Sequence, residues 1–521
     1  MKRRKFIKVT AGSTAALSLS SLLSKCSSSI KRPNIIFIMS DDHAANALSC
    51  YGSKINKTPH LDRLAAEGMR FDNCFCTNSI CTPSRASILT GKYSHKNGVL
   101  TLDVPLDSSQ LTFPKLLQEA GYYTGVVGKW HLSGYHQQPR GKRDLKPEPA
   151  GFDYWNVLPG QGGYFDPDMV EMGKWKQYKG YVTDIITDIA LDFLENRPKD
   201  KPFCLLYQHK APHDYFDYDE KHAHLYEDMS IPEPETFFDD YRNKGEAIKR
   251  TTQKIGTKHT LWLLKNRSGL TEEEIKKLSP EELKKQAYQV YIKSYLRCVA
   301  SIDDNVGRLL DYLDGKGLNE NTIIVYTSDQ GMFLGEHGLF DKRFMYEESL
   351  RVPFIVRYPK EIKKDTVNKD IVIQEDFAET FLDFAGLPIP GDMQGRSLRP
   401  LFKEKTPRDW RRSMYYRYWM HLPHFRVAAH FGVRTERYKL IYYYGQALNA
   451  PGAVDEPTPP EWELFDLEKD PKEMMNLYGK SGYENITLEL KKELIRLRNE
   501  LGDDQDGITI NTTSASIKKN A

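Results

Sequence analysis

Two carboxylates stand side by side at Asp41-Asp42, and a third at Asp329 is followed by the amide of Gln330. Each group comes straight after an apolar run: Asn34-Ile35-Ile36-Phe37-Ile38-Met39 before the first, and Thr322 to Thr327 before the second. Two further polar pairs share this placement. Lys129 and His131 follow a strand predicted over Tyr122 to Val127, and Lys210 with His213 follows one over Phe203 to Gln208. In an open α/β sheet, ligands bind beyond the carboxyl ends of the strands, so four polar groups past four strands mark one candidate site. Three carboxylates and an amide oxygen suit a hard cation, Ca²⁺ or Mg²⁺, better than zinc. The plainer alternative makes Asp41 a helix cap and Asp329 a turn residue. Adjacent carboxylates ending a buried strand repel unless a cation or an arginine neutralises them, which favours the metal.

The elements that must position these groups alternate along the chain. The run from Asn34 to Met39 reads as a buried strand of a parallel sheet. Helices are predicted over Pro59 to Gly68, with Thr58 as N-cap and Pro59 in the first turn, and over Phe113 to Ala120, closed by Gly121. Two more are read over Val182 to Glu195 and over Gln286 to Leu313, the latter ended by Gly315 and Gly317. Helices interleaved with apolar strands predict an α/β fold with a large, mostly parallel sheet between helices. From about Tyr215 to Glu282 the chain turns polar and aromatic, an insertion that either walls a substrate site or is a solvated excursion. Beyond a break near Leu401 to Arg412, strands at Ser413 to Tyr418, Gly432 to Arg434 and Tyr438 to Tyr444 form a smaller C-terminal α+β subdomain. A polar helix from Leu488 to Leu501 closes it. The domain reading is a signal segment over 1–26, a catalytic domain over 31–405, the subdomain over 406–505 and a mobile tail over 506–521.

Composition excludes several classes. Of 521 residues, 40% are hydrophobic and 28% charged, ordinary for a folded domain. Lys plus Arg total 74 against 71 for Asp plus Glu, a net charge of +3. No global field marks the chain for nucleic acid, so anion recognition has to be local. The basic Lys2-Arg3-Arg4-Lys5-Phe6-Ile7-Lys8 and the short apolar run from Val9 to Leu23 read as an export signal of twin-arginine type. Leu23-Ser24-Lys25-Cys26 resembles a lipobox, which would anchor the protein by a lipid on Cys26; an ordinary cleavable signal is the alternative. Either way the protein is expected to be exported, as a periplasmic or cell-surface lipoprotein or a secreted one. Seven irregularly spaced cysteines imply no disulfide scaffold.

The most specific signal is Ser79-Ile80-Cys81-Thr82-Pro83-Ser84-Arg85-Ala86-Ser87-Ile88-Leu89-Thr90-Gly91. It resembles the maturation motif of the type I, formylglycine-dependent sulfatase family of the alkaline-phosphatase-like superfamily. The second signature of that family is matched by Gly121-Tyr122-Tyr123-Thr124-Gly125-Val126-Val127-Gly128-Lys129-Trp130-His131. Similarity continues through Thr327-Ser328-Asp329-Gln330-Gly331, Gly335-Glu336-His337-Gly338 and Asp341-Lys342-Arg343. It goes on through Arg351-Val352-Pro353-Phe354, and Glu463-Leu464-Phe465-Asp466-Leu467 with Asp470-Pro471 and Asn476-Leu477 resembles the family's C-terminal subdomain. One variation is Gln330, where many members carry Asn.

The resemblance implies an alkaline-phosphatase-like fold and a definite chemistry. A formylglycine-generating maturation enzyme would convert Cys81 to 3-oxoalanine, whose hydrate attacks sulfur through one oxygen as the ester oxygen leaves. The second hydroxyl then expels sulfate by carbon–oxygen cleavage and restores the aldehyde. Asp41, Asp42, Asp329 and Gln330, with residue 81, would hold Ca²⁺ (Mg²⁺ in the alternative), polarising a sulfate oxygen. Arg85 and Lys129 would steady the formylglycine oxygens and His131 would hydrogen-bond the diol. Lys342 and His213 would bind sulfate and help protonate the leaving alcohol. His337 and Arg351 read as structural and Trp130 as packing.

Two other readings keep the fold: a phosphomonoesterase or phosphodiesterase of the same superfamily, and a catalytically silent carbohydrate-binding relative. The oxygen-only ligand set argues against the first and the complete residue set against the second. The expected substrate is a sulfated carbohydrate, a hexosamine or uronate sulfate of a glycosaminoglycan-type glycan. Tyr135-His136, Tyr215 to Asp219 and His421 to Arg426 are candidate sugar contacts.

Overall fold

The computed structural model describes residues 32–133 and 148–512. The N-terminal signal segment, Cys26 and Tyr135-His136 lie outside the described residues. Five parallel strands form the middle of an eleven-stranded sheet, in the spatial order Thr322–Ser328, Asn34–Ser40, Phe203–Gln208, Tyr123–Lys129 and Tyr154–Leu158. Arg351–Arg357 runs antiparallel beside the first of these, and the hairpin Asp168–Glu171 with Lys174–Gln177 closes the other side. Asn34–Ser40 is buried along its whole length. Its side chains alternate between two cores: Ile35, Phe37 and Met39 enter one, Ile36 and Ile38 the other. A strand covered on both faces must be apolar at every position, which is why this one carries no period-two pattern.

Helix boundaries show where sequence signals mislead. The longest helix is Pro280–Gly315, six residues longer at its start than predicted. Its N-terminus is fixed by a capping box between Ser279 and Glu282 with Pro280 in the first turn, but those first turns are charged and exposed. Apolar periodicity begins only where the helix meets the core at Ala287. Thr58 precedes the helix Pro59–Ala66 without capping it, because its hydroxyl is taken by Ser49 at 2.8 Å. Asp303 of the long helix accepts the free N–H groups instead, from His60 at 3.2 Å and Leu61 at 2.8 Å. The capping oxygen comes from 242 residues away in the chain.

The C-terminal part is a four-stranded antiparallel sheet, in the order Ser413–Tyr418, His430–Thr435, Tyr438–Tyr443, Glu461–Asp466, packed against the helix Glu484–Leu501. One expectation is corrected here. The segment read as a mobile tail begins in a packed state: Asp506 pairs with Arg498 at 2.6 Å and with Arg417 at 2.7 Å, and Ile510 is buried. Two buried arginines supply a reason for order that a Ser/Thr/Lys/Asn composition does not reveal. Residues 513–521 lie outside the described residues.

Candidate active site

Strand register brings the polar groups to one level. Ser40 pairs with Ser328, Met39 with Gln208, and Gly128 also with Gln208. Asp41, Asp329 and Lys129 therefore reach the same carboxyl edge of the sheet. The strand predicted to stop at Val127 runs on to Lys129. Gly128 makes that extension work: its φ is 100°, and a Cβ there would fall on the carbonyl oxygen of Gln208.

Cys81 is delivered by a helix that apolar periodicity does not reveal. Cys81–Thr90 is buried at all ten positions, so it has no polar face and no amphipathic stripe. Pro83 in the first turn and Gly91 at the end, with φ 64°, are the signals that could have found it. Its N-terminus, the positive end of the helix dipole, carries Cys81. The Sγ lies 3.3 Å from Asp41 Oδ1, 3.4 Å from Gln330 Nε2 and 3.8 Å from Lys129 Nζ. One oxygen each of Asp41, Asp42 and Asp329 lies within 4.8 Å of the others. Asp41, Cys81 and His213 form a second group within the same limit.

Cations surround this cluster. Arg85 Nε donates to Asp329 Oδ2 at 2.9 Å, and its Nη1 donates to the Lys129 carbonyl at 2.8 Å. Lys129 Nζ contacts Asp41, and Lys342 Nζ donates to Asp42 Oδ2 at 2.6 Å. His213 Nε2 stands 3.7 Å from Asp42 Oδ2, while its Nδ1 meets the Asp214 carbonyl at 2.9 Å. A proton on Nδ1 donated to that carbonyl leaves Nε2 bare toward the cluster. His131 is buried with a φ of 53°, and its carbonyl accepts the Thr82 hydroxyl at 3.0 Å. That backbone contact ties it to the Cys81 helix. Trp130 packs edge-on against Phe152, and His337 is buried against Asp239 at 3.1 Å.

Burial and like charge set the titration of the carboxyls. Burial pushes Asp41 up, but Lys129, His213, Arg85 and Lys342 together hold it well below the usual range. Asp42 is raised by burial and by Asp41, against Lys342. Asp329 is pushed up to about 7 by burial and Asp41, against Arg85. Burial and the Lys129 charge keep His213 neutral. Gln330 spends its Nε2 on Asp42 and Cys81, and its Oε1 is buried with no hydrogen-bond partner. A buried acceptor without a donor is costly. Carboxylates held together under strain and an orphaned amide oxygen fit a hard divalent cation.

A cavity of about 650 Å³ opens over Asp42 and Lys342. The polar insertion does wall it, through Tyr215 and His259, and Phe425 closes it from the C-terminal part. Other contacts had no individual signal in the sequence. Gln161, in the Gly160-Gln161-Gly162-Gly163 turn, accepts from Lys129 Nζ at 2.5 Å. Gln374 donates to the Ser328 and Asp329 carbonyls, both at 2.8 Å, and accepts the Ser84 hydroxyl at 2.7 Å. Asp341 and Arg343 flank Lys342 on the cavity wall.

Known proteins share this organisation. Residues 33–387 match the family described as Sulfatase, and residues 335–500 match the one described as N-sulphoglucosamine sulphohydrolase, C-terminal. The chain is 45% identical to an N-acetylglucosamine-6-O-sulfatase of Bacteroides thetaiotaomicron, over 93% of this chain and 89% of that protein. It is 30% identical to an ulvan-active sulfatase of Formosa agariphila, over 96% of this chain and 89% of that one. A solved structure in complex with its substrate D-glucosamine-2-N,6-O-disulfate superposes with a TM-score of 0.83 at 44% identity, covering 92% of this chain and 100% of the other. Sheet order, site and family match agree: the chain belongs to the sulfatase family of the alkaline-phosphatase-like superfamily and is a sulfuric ester hydrolase.

Proposed function

We propose that this sulfatase removes a sulfate ester from a hexosamine or uronate of a glycosaminoglycan-type glycan, with the 6-O-sulfate of a glucosamine as the first candidate. It would use residue 81 as formylglycine, made by a maturation enzyme, and one Ca²⁺. The observation that carries the reaction is the place of residue 81, 3.3 Å from Asp41 and beside the carboxylate cluster whose Asp42 lines the cavity. The sugars named for two similar sulfatases support the sugar. The basic N-terminal segment supports export, with Cys26 as the lipid-anchor candidate.

Asp41, Asp42, Asp329 and the Gln330 amide oxygen would hold the cation together with residue 81. A bound divalent cation there supplies the positive charge that draws a sulfate oxygen and favours a deprotonated hydroxyl. Lys129, oriented by Asp41 and Gln161, points its ammonium at the substituent of residue 81 and steadies negative charge on it. Arg85, locked between Asp329 and the Lys129 carbonyl, keeps helix and strand in register. Lys342 stands on the cavity side, where it binds a sulfate oxygen. Lys342 and His213 would together help protonate the departing alcohol, with the Lys342 ammonium as the proton source because His213 Nε2 is bare in the resting site. His131 is assigned a hydrogen bond to the nucleophile.

A panel of position-defined sulfated mono- and disaccharides, given to the matured enzyme, tests this reading. Sulfate release from 6-O-sulfated glucosamines is expected. Release from no sulfated sugar and no aryl sulfate, by protein whose residue-81 peptide carries the aldehyde, overturns it.

A further inference from the structure

Large aromatic side chains are seldom left exposed, and when they gather beside a cleft they mark a binding surface. Two of the exposed ones here meet beside the catalytic cavity, which Tyr215 lines: Tyr215 is 46% exposed and Trp262 is 44% exposed. They come from different elements. Tyr215 follows the strand that delivers His213, and Trp262 belongs to the insertion helix Lys258–Arg267, whose core-facing residues are Thr260, Leu263 and Leu264. Trp262 turns away from that core and lies 5.1 Å from Tyr215, with the rings inclined at 56°.

The pair is the outer end of an aromatic column. His259 stacks on Tyr215 at 5.5 Å and 11°, and Phe340 stacks on His259 at 5.8 Å and 16°. His259 is pinned by an ion pair to Asp214, so the column is braced by charge as well as by packing. Phe340 immediately precedes Asp341 and Lys342. Three ring-to-ring steps thus run from the turn that supplies Lys342 out to the exposed indole. That is longer than one pyranose ring, and Tyr215, His259 and Phe340 line the same cavity as Asp42 and Lys342.

From this continuity we propose that Tyr215 and Trp262 form an outer subsite. It takes the apolar C–H face of a second pyranose ring, linked to the sulfated sugar whose ester occupies the cavity. An aromatic face carries negative π density and a pyranose presents polarised C–H bonds on one side, so the two stack without a hydrogen bond being required. The enzyme therefore prefers sulfated oligosaccharides to the free monosaccharide. This inference rests on the sulfated-sugar reading above and adds what lies beyond the reacting ring.

The test uses matured full-length protein and two substrates, a 6-O-sulfated glucosamine and the same sugar extended by one glycosidically linked ring. The quantity read is the ratio of kcat/KM for the disaccharide to that for the monosaccharide. Wild type is expected to favour the disaccharide about five- to tenfold, the scale of one aromatic contact. Trp262→Ala brings the ratio to near one, and Trp262→Phe retains most of it. Trp262→Gln, which also lacks the ring but keeps a good helix former, repeats the loss and guards against a folding artefact. A wild-type ratio near one, or a ratio that Trp262→Ala and Trp262→Gln leave in place, overturns the outer subsite alone. Sulfate release from neither sugar overturns the substrate reading and the inference with it.

Discussion

Among the clusters of buried charge in this molecule, two are built differently. Where the C-terminal sheet meets the catalytic part, cations and carboxylates are matched across segments. Fully buried Lys439 pairs with Glu347 at 2.9 Å and Glu473 at 2.7 Å, and Arg434 pairs with Glu347 at 3.2 Å. Tyr346 and Tyr443 donate to Glu463 at 2.9 and 3.1 Å, and the Gly245 amide donates to it at 2.8 Å. At the sheet edge Asp41, Asp42 and Asp329 also have cations, Lys129, Lys342 and Arg85, but the three carboxylates converge on one another, an amide oxygen lacks a donor, and Asp42 lines a cavity. Both clusters contain strongly shifted carboxyls. Burial pushes Glu347 up, but Arg434 and Lys439 outweigh it and hold it far below its usual range; burial pushes Glu473 up to about 7. Shifted titration alone therefore does not mark catalysis. Like charges facing one another at an opening, beside a nucleophile, do.

The sharpest way to break this contrast is to remove the nucleophile. Cys81→Ala should lower sulfate release by about 10⁴-fold or more, the scale seen when a covalent nucleophile is lost. Thermal unfolding should move little, since a small side chain is exchanged for a smaller one. A collapse in Tm of the size expected for a core cavity would make residue 81 a packing residue instead.

Metal removal comes next in size. Chelation should reduce turnover about 10³-fold and lower Tm, because a ligand bound only by the folded state stabilises it by mass action. Ca²⁺ added back should restore both, and Asp329→Asn should respond to neither chelator nor Ca²⁺. Activity indifferent to chelation would leave the convergent carboxylates without an explanation.

The matched cluster should fail in the opposite way. Lys439→Met leaves Glu347 and Glu473 facing each other in the interior without their shared ammonium, at a cost of about 3–5 kcal/mol. Chemical denaturation should show that loss, while kcat/KM per folded molecule stays near wild type. A variant that keeps its stability and loses turnover would erase the distinction between the clusters.

How far the sequence reveals this division depends on whether a residue's neighbours in the chain are also its neighbours in space. Asp41 and Asp329 are legible because each directly ends an apolar strand, and strand register alone then brings them together. Cys81 is legible through its resemblance to a maturation motif, but the helix Cys81–Thr90 that carries it shows only Pro83 and Gly91 as signals, since burial on every side erases periodicity. The insertion helices Glu246–Arg250, Lys258–Arg267 and Glu272–Lys277 are too short and too charged to show a stripe. Gln374 serves the site through backbone carbonyls 45 and 46 residues away, and a lone glutamine in a loop has no pattern to read.

Gln161 is the finest test of the contrast, because it sits where the two principles could be confused. Its Oε1 accepts from Lys129 Nζ at 2.5 Å, a neutral partner for a buried charge, as Tyr346 and Tyr443 are for Glu463 in the matched, fastening cluster. Yet Lys129 already has Asp41 as its counter-charge, so the bond is not needed to neutralise it. What it adds is direction: with Asp41 on one side and Gln161 on another, the ammonium is kept 3.8 Å from the residue-81 sulfur. Gln161→Leu should therefore act on the transition state more than on the fold. A hydrogen bond to a charged group contributes about 1.5–3 kcal/mol, so kcat should fall about ten- to a hundredfold while KM and Tm change little. Gln161→Glu keeps an acceptor oxygen at that place and should recover part of kcat. If Gln161→Leu instead lowers Tm and spares kcat, the bond belongs with the fasteners, and the boundary of the catalytic cluster must be drawn inside Lys129.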